Sequence, residues 1–259
     1  LVDKQNGGIY HCWTRCVRRA WLVGEDPLTG VDHSHRSGWI EQRMLELADV
    51  FSVQLFGYAV MSNHYHLLLN VNPKAVAAWS DDEVARRWIS VSKCKTPAQV
   101  EGEHAALLAD PERLLELRER LGDLSYFMRF LNESIARRAN AEDGVTGKFW
   151  GDRFGSSATL DNLGVLTCLM YIDLNPFRAG MVKHPHCGPH TSINRRIRKA
   201  GKTTAPLASI QCVGMTLKDY LTLLEHTAGV DRPSSSGAGP PTHIEQLGCD
   251  TAWLSVQVN

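Results

Sequence analysis

Two histidines one residue apart, His64 and His66, stand at the head of an apolar run, HYHLLLN. Side chains alternate faces along a β-strand, so both imidazoles project from one side and Tyr65 from the other. Two imidazoles on one strand face can chelate a divalent ion. An isolated His-x-His is more often a hydrogen-bonded pair on a sheet, so a second element must join it. That element is CLMYIDLNPFRAG, in which Tyr171 and Asn175 are four residues apart. On a helix this spacing puts a phenol and an amide oxygen on one face. A phenol beside a divalent ion has the makings of a nucleophilic site, because the ion favours the phenolate.

The elements that must position these groups can be read from periodicity. The segment GGIYHCWTRC (7 to 16) has the β-branched and aromatic character of a strand. Apolar residues from about Ser37 to Val50 recur at helical spacing. FSVQLFGYAVM (51 to 61) and HYHLLLN (64 to 70) are two strands joined by the Ser62-Asn63 turn, which predicts a hairpin. A run of short charged helical patterns, 74 to 123, reads as an acidic insertion. Leu124 to Ile135 mark an amphipathic helix, residues 149 to 158 a strand, and Asp161 or Asn162 caps a last helix, which Pro176 is expected to stop. Strand, helix, strand, strand, helix, strand, helix implies an α+β fold with a mostly antiparallel sheet and helices on one face. The expected division is a domain over 8 to 200 and a C-terminal extension over 201 to 259, with a linker at 232 to 242.

Composition narrows the classes. The 259 residues are 43% hydrophobic and 22% charged, which suits a globular chain able to bury a core. No run of 18 apolar residues and no secretory leader are visible, so a cytoplasmic location is expected. Seven cysteines (12, 16, 94, 168, 187, 212, 249) form no CxxC pair, which argues for reduced thiols over a disulfide framework or zinc ribbon. Net charge is zero, yet Leu174 to Lys218 holds no acid and is rich in Arg and Lys, while acids gather in 81 to 123. One basic surface is therefore expected, with charge compensation elsewhere. His184, His186, Cys187 and His190 are irregularly spaced and read as surface.

Several longer segments carry a family resemblance: YHCWTRCVRRAWL, WIEQR, YAVMSNHYHLLL, FWGDRF and YIDLNPFRAGMV. From about Tyr10 to His184 the chain resembles the HUH-type single-tyrosine transposases, within them the REP-associated tyrosine transposases and their longer relatives. The resemblance implies a ferredoxin-like fold, Mg²⁺ or Mn²⁺ on His64 and His66, Asn175 as polar third ligand, Tyr171 as nucleophile, and a substrate of single-stranded DNA flanked by a hairpin. It also implies a monomer. Three departures stand out: Ser62 where many relatives have Pro, the long 74 to 123 stretch, and HPHCGPHTS in place of an aromatic-rich turn.

The chemistry fits these residue types. An ion on a non-bridging phosphodiester oxygen acts as a Lewis acid, and the phenol, with an ordinary pKa near 10, loses its proton during in-line attack. Attack leaves a 5′-phosphotyrosine and a free 3′-hydroxyl, from which DNA can be rejoined without ATP. Arg18, Arg19 and Arg153 are expected to bind DNA, with Arg15 and Arg178 as further phosphate ligands and Trp13, Phe149 and Trp150 as bases' stacking partners. The alternatives are a ferredoxin-like nucleic-acid-binding module without catalysis, and a metal-dependent hydrolase that uses water and forms no covalent link.

Overall fold

Alternation along the first strand decides the architecture. In β1 (Gly8–Arg15), Tyr10, Cys12 and Thr14 are buried on one face, while Ile9, His11, Trp13 and Arg15 take the other. β2 (Val53–Val60), β3 (His64–Val71) and β4 (Gly155–Thr159) complete a sheet of order β2-β3-β1-β4, in which every pair is antiparallel. The computed structural model describes residues 2–17, 21–91, 96–159, 161–200, 202 and 205–230. Arg18, Arg19, Cys94, Cys249, the 232 to 242 linker and the tail after it lie outside the described residues.

The first face is covered by α1 (Arg36–Val50) and α5 (Leu124–Glu142). Ile40, Met44 and Leu47 from α1 and Phe127, Met128 and Leu131 from α5 meet Tyr58, Tyr65, Leu67 and Leu69 of the sheet in one core. Between β3 and α5 the chain forms a 3-10 turn at Pro73–Ala78, then α2 (Asp81–Val91), α3 (Pro97–Leu108) and α4 (Pro111–Leu121). These helices start where the sequence supplies caps. Thr96 and Gln99 form a capping box, and Asp110 accepts from the Arg113 N–H. Val84, Ile89, Leu114 and Leu117 add a layer behind α1 and α5.

The α+β class and the antiparallel sheet are as expected, and α1 and α5 share a face. A third long helix does not join them. α6 (Asn162–Arg178) packs on the opposite face with α7 (Ser192–Arg198) and α8 (Leu217–Val230). The reason lies in the strands: Phe56, Ala59 and Leu68 make that face apolar over β2 and β3, and it has to be covered. Gly57 lets the helix come close, since a Cβ there would lie 2.4 Å from Leu169 Cδ1. A bulge between Leu55 and Gly57 adjusts the strand at the same place. Residues 217 to 230 thus belong to the second core, through Tyr220, Leu223 and Leu224.

Pro176 does not end α6, which runs on to Arg178. The helix stops two residues later by backbone chemistry. Gly180 takes φ +71°, its N–H donates to Phe177 O at 3.0 Å, and the Met181 N–H donates to Pro176 O at 2.9 Å. That pair of bonds is a Schellman cap, with glycine at the left-handed position. No helix of the described residues is long and apolar enough to cross a membrane.

Candidate active site

Helix α6 covers β2 and β3 but leaves the sheet open toward β1 and β4. A cleft of about 840 Å³ lies there, lined by His11, Trp13, Arg15, His64, His66, Arg153, Gly155 and Tyr171 among others. Four of the residues singled out in the sequence, His64, His66, Tyr171 and Arg153, therefore share one cavity. The ring of Tyr171 stands edge-on to His66 with centroids 5.4 Å apart, and the His64 and His66 rings are 4.9 Å apart. Tyr65 points the other way and is fully buried, its hydroxyl donating to Asn132 Oδ1.

The histidine strand is held where its turn begins. Met61 N–H donates to His64 O at 2.8 Å, closing the hairpin across Ser62 and Asn63. Ser62 O accepts from Leu22 N–H (2.9 Å) and Val23 N–H (3.0 Å), and Asn63 O accepts from Cys16 N–H (2.9 Å). Asn63 also places its side chain: Oδ1 is 2.7 Å from His64 Nδ1. A carbonyl oxygen only accepts, so His64 carries its proton on Nδ1 and keeps a lone pair on Nε2.

A third imidazole, His11 on β1, was not singled out from the sequence. Its Nε2 lies 3.0 Å from His66 Nδ1, with ring centroids 5.1 Å apart, and its ring is 5.8 Å from that of Tyr171. Burial holds all three imidazoles below their ordinary pKa, His11 and His64 to about 4 and His66 to about 3. For His66 the neighbouring imidazoles add to burial, and for His64 so does Arg15. At neutral pH all three are uncharged, the form in which imidazole coordinates a metal. His66 Nε2 is buried without a hydrogen-bond partner, an orphan atom that an ion would satisfy. The residues present thus fit a divalent ion.

Asn175 is half-buried one turn beyond Tyr171 and is not among the residues lining the cleft. Among the described residues, three His, Cys, Asp or Glu side chains come within 4.8 Å of one another only at His33, Glu142 and Asp143. A cation already sits there: buried Arg36 donates Nε to Glu142 at 2.6 Å and Nη2 to Asp143. We therefore read that cluster as the ion pair fastening residues 21–36 to the end of α5.

The expected DNA-contacting groups divide. Trp13 is 37% exposed, and its indole rests on Gly155, where a Cβ would come within 2.3 Å of the ring. Arg153 is exposed on a loop, Gly151 to Phe154, that leaves the ladder between the Cys16–Trp150 bridge and β4. Phe149 and Trp150 are core residues, 3% and 8% exposed, and Trp150 Nε1 donates to Asn132 O at 2.8 Å. They are not placed to stack on bases. Within the basic stretch, Arg196 is buried, donating to Phe56 O and to Ala208 O at 3.3 Å, while Arg198 and Lys199 are exposed beside β2, at the sheet edge away from the cleft. Among the described residues, Cys12, Cys16, Cys168, Cys187 and Cys212 form no disulfide.

The helix carrying Tyr171 is anchored from behind. Asp173 is fully buried and accepts from Ser192 Oγ (2.6 Å), Ile193 N–H (3.2 Å) and Tyr220 OH (2.8 Å), with Arg196 Nη1 at 3.9 Å. Burial raises its pKa against these opposing bonds. One carboxyl group thereby ties α6 to α7 and α8.

No family model matches the chain, and no curated protein matches it. Among solved structures the chain is similar to a REP-associated tyrosine transposase bound to a REP hairpin. The two are 12% identical with a TM-score of 0.45, over 77% of this chain and 84% of that one.

Proposed function

We propose that the protein is a metal-dependent tyrosine transposase that cuts and rejoins single-stranded DNA through a covalent link to Tyr171. The observation that carries this reading is the seat of Tyr171. Its phenol ring stands against His11 and His66, in a cleft where His66 Nε2 is buried without a hydrogen-bond partner and where Arg15 and Arg153 supply positive charge.

His64 and His66 would hold Mg²⁺ or Mn²⁺ by Nε2. Asn175 joins them only if the end of α6 moves toward the cleft. When bound, the ion supplies Lewis-acid polarisation of the phosphodiester. The remaining work falls to the chain. Arg15 and Arg153 bind phosphates of a strand entering the cleft, with Arg18 and Arg19, which lie outside the described residues, as further phosphate ligands in this reading. Tyr171 Oη attacks phosphorus in line, forms the Tyr–O–P bond and gives up its proton, while the P–O3′ bond breaks and the departing oxygen takes a proton. The strand downstream of the cut remains on Tyr171 through its 5′-phosphate, and the upstream strand leaves with a 3′-hydroxyl. A 3′-hydroxyl from another end can reverse the step, which restores the phenol and joins DNA without ATP. A phosphate that must reach a site set on the sheet floor does not come from an undistorted duplex, so the substrate is single-stranded, and the family resemblance implies a hairpin beside it. The chain acts as a monomer in this reading, since His64, His66 and Tyr171 already meet within it.

The test is a labelled single-stranded oligonucleotide carrying a hairpin, incubated with Mg²⁺ or Mn²⁺ and resolved under denaturing conditions. A 3′ fragment linked to the protein through its 5′-phosphate, with a released 5′ fragment ending in a 3′-hydroxyl, supports the proposal. Two free fragments would point to a water-using hydrolase, and binding without cleavage to a DNA-binding module.

A further inference from the structure

His11 lies on the same sheet face as His64 and His66. Trp13 is paired with His66 across β1 and β3, so His11 is the diagonal neighbour two residues before it. The rings of His11 and His66 are nearly parallel, 29° apart, and the contact between them is specific in atoms: Nε2 to Nδ1 at 3.0 Å. This leaves His66 Nε2 as the buried atom without a partner.

We infer that His11 is a positioning residue, which accepts the Nδ1 proton of His66 and so presents the Nε2 lone pair of His66 to the ion. The inference rests on the reading of this cleft as a metal site. A neutral imidazole has one N–H. With that hydrogen on Nδ1 and shared with His11, His66 Nε2 is a bare acceptor ready to coordinate. In the reverse arrangement His11 would donate, and His66 would bury an N–H on Nε2 with nothing to receive it, the costlier orphan. Asn63 does the same for His64 through its Oδ1 at 2.7 Å. Both histidines are then fixed in one tautomer by a neighbour, one an amide and the other an imidazole. Outer partners of this kind orient metal-binding histidines and raise their basicity. His11 has a second contact to keep, the edge of Tyr171 at 5.8 Å, so it sits where ligand and nucleophile meet.

The full chain is titrated with Mn²⁺ alone, without DNA, and free Mn²⁺ is read by electron paramagnetic resonance. His11→Phe keeps a ring and removes the acceptor; His11→Gln keeps an acceptor oxygen. We expect His11→Phe to weaken Mn²⁺ binding by about 10- to 100-fold and His11→Gln to recover most of it. Unchanged affinity in His11→Phe, or equal losses in both variants, would overturn the positioning role. If the unmodified protein takes up no Mn²⁺, the metal reading falls and the role of His11 with it. Imidazole ¹⁵N shifts of the unmodified apoprotein test the point without any substitution: protonation of His66 at Nδ1 agrees with the inference, and protonation at Nε2 overturns it.

Discussion

Gly57 offers a way to move the nucleophile without touching it. A methyl group at this position would lie 2.4 Å from Leu169 Cδ1, and Leu169 is fully buried on α6, two residues before Tyr171. Carbon atoms settle at about 3.5–4.0 Å, so Gly57→Ala demands roughly 1 Å or more of relief. Leu169 has little room in a packed core, and the helix must give way in part. Overpacking of this kind costs about 1–3 kcal/mol, and each kcal/mol lowers Tm by about 2–4 °C in a chain of this size. A shift of about 1 Å in a catalytic group can cost on the order of 100-fold in rate. Gly57→Ala should therefore melt a few degrees lower and form the covalent DNA adduct far more slowly. Leu169→Val removes the δ carbons, so the double variant Gly57→Ala/Leu169→Val should regain much of the rate. Gly102→Ala is the control: it lies in α3 with nothing within 4 Å of the added carbon, and should gain roughly 0.5–1 kcal/mol with no change in rate. Single-turnover adduct formation and thermal melts read both effects. A Gly57→Ala protein with lowered Tm and an unchanged rate would refute the idea that the contact between β2 and α6 sets the position of Tyr171.

The cleft histidines make stability pH-dependent in a definite direction. Their folded pKa values, about 4, 3 and 4 for His11, His66 and His64, lie below the ordinary 6.5, so the unfolded chain binds more protons as pH falls below about 6.5. Tm should drop from pH 7.5 to 5, above the range in which most carboxylates titrate, and the double variant His64→Asn/His66→Asn should show a flatter curve; an equal slope would contradict these shifts. Arg196→Ala should destabilise strongly, by about 3–5 kcal/mol, because it removes the positive charge beside buried Asp173 and the donor to Phe56 O and Ala208 O, while Arg198→Ala and Lys199→Ala should leave Tm nearly unchanged in a thermal melt. Trp13→Ala should weaken binding of a single-stranded oligonucleotide by about 10-fold or more, with Trp13→Phe close to unmodified, whereas indistinguishable affinities in a fluorescence titration would remove Trp13 from the DNA surface.

How much of this was legible in the sequence depends on the range of the signal. The hairpin around Ser62 and Asn63, the opposed faces of His64 and Tyr65, and the cap at Asp161 are local, and two-residue or helical periodicity is enough to read them. His11 was not legible, because a single histidine in a strand gains meaning only when the pairing of β1 with β3 sets it beside His66. Arg196 reads as one of a basic run, yet its neighbours are exposed and it is buried, since its partners Phe56, Asp173 and Ala208 come from distant segments. Phe149 and Trp150 fail as stacking residues for the same reason. Local sequence marks an aromatic side chain but not the face it takes. Side chains on β2 that approach α6 also explain the layer not foreseen on the second face: the apolar character of Phe56 and Leu68 is plain, but the pattern of a strand buried on both sides does not say which helix covers which side.

Peptide mapping of the trapped complex shows directly whether Tyr171 becomes joined to DNA. The protein is incubated with Mn²⁺ and a single-stranded oligonucleotide bearing a hairpin, denatured, treated with nuclease and protease, and analysed by mass spectrometry. Covalent chemistry at Tyr171 should add a nucleotide mass to the peptide that contains it, and none to peptides bearing Tyr10, Tyr58, Tyr65, Tyr126 or Tyr220. Tyr171→Phe, which removes a single oxygen, should still bind the oligonucleotide but yield neither cleavage nor adduct. A nucleotide on another tyrosine, or an adduct that survives in Tyr171→Phe, would contradict the assignment. Cleavage by the unmodified protein with no adduct at all would contradict the covalent mechanism itself.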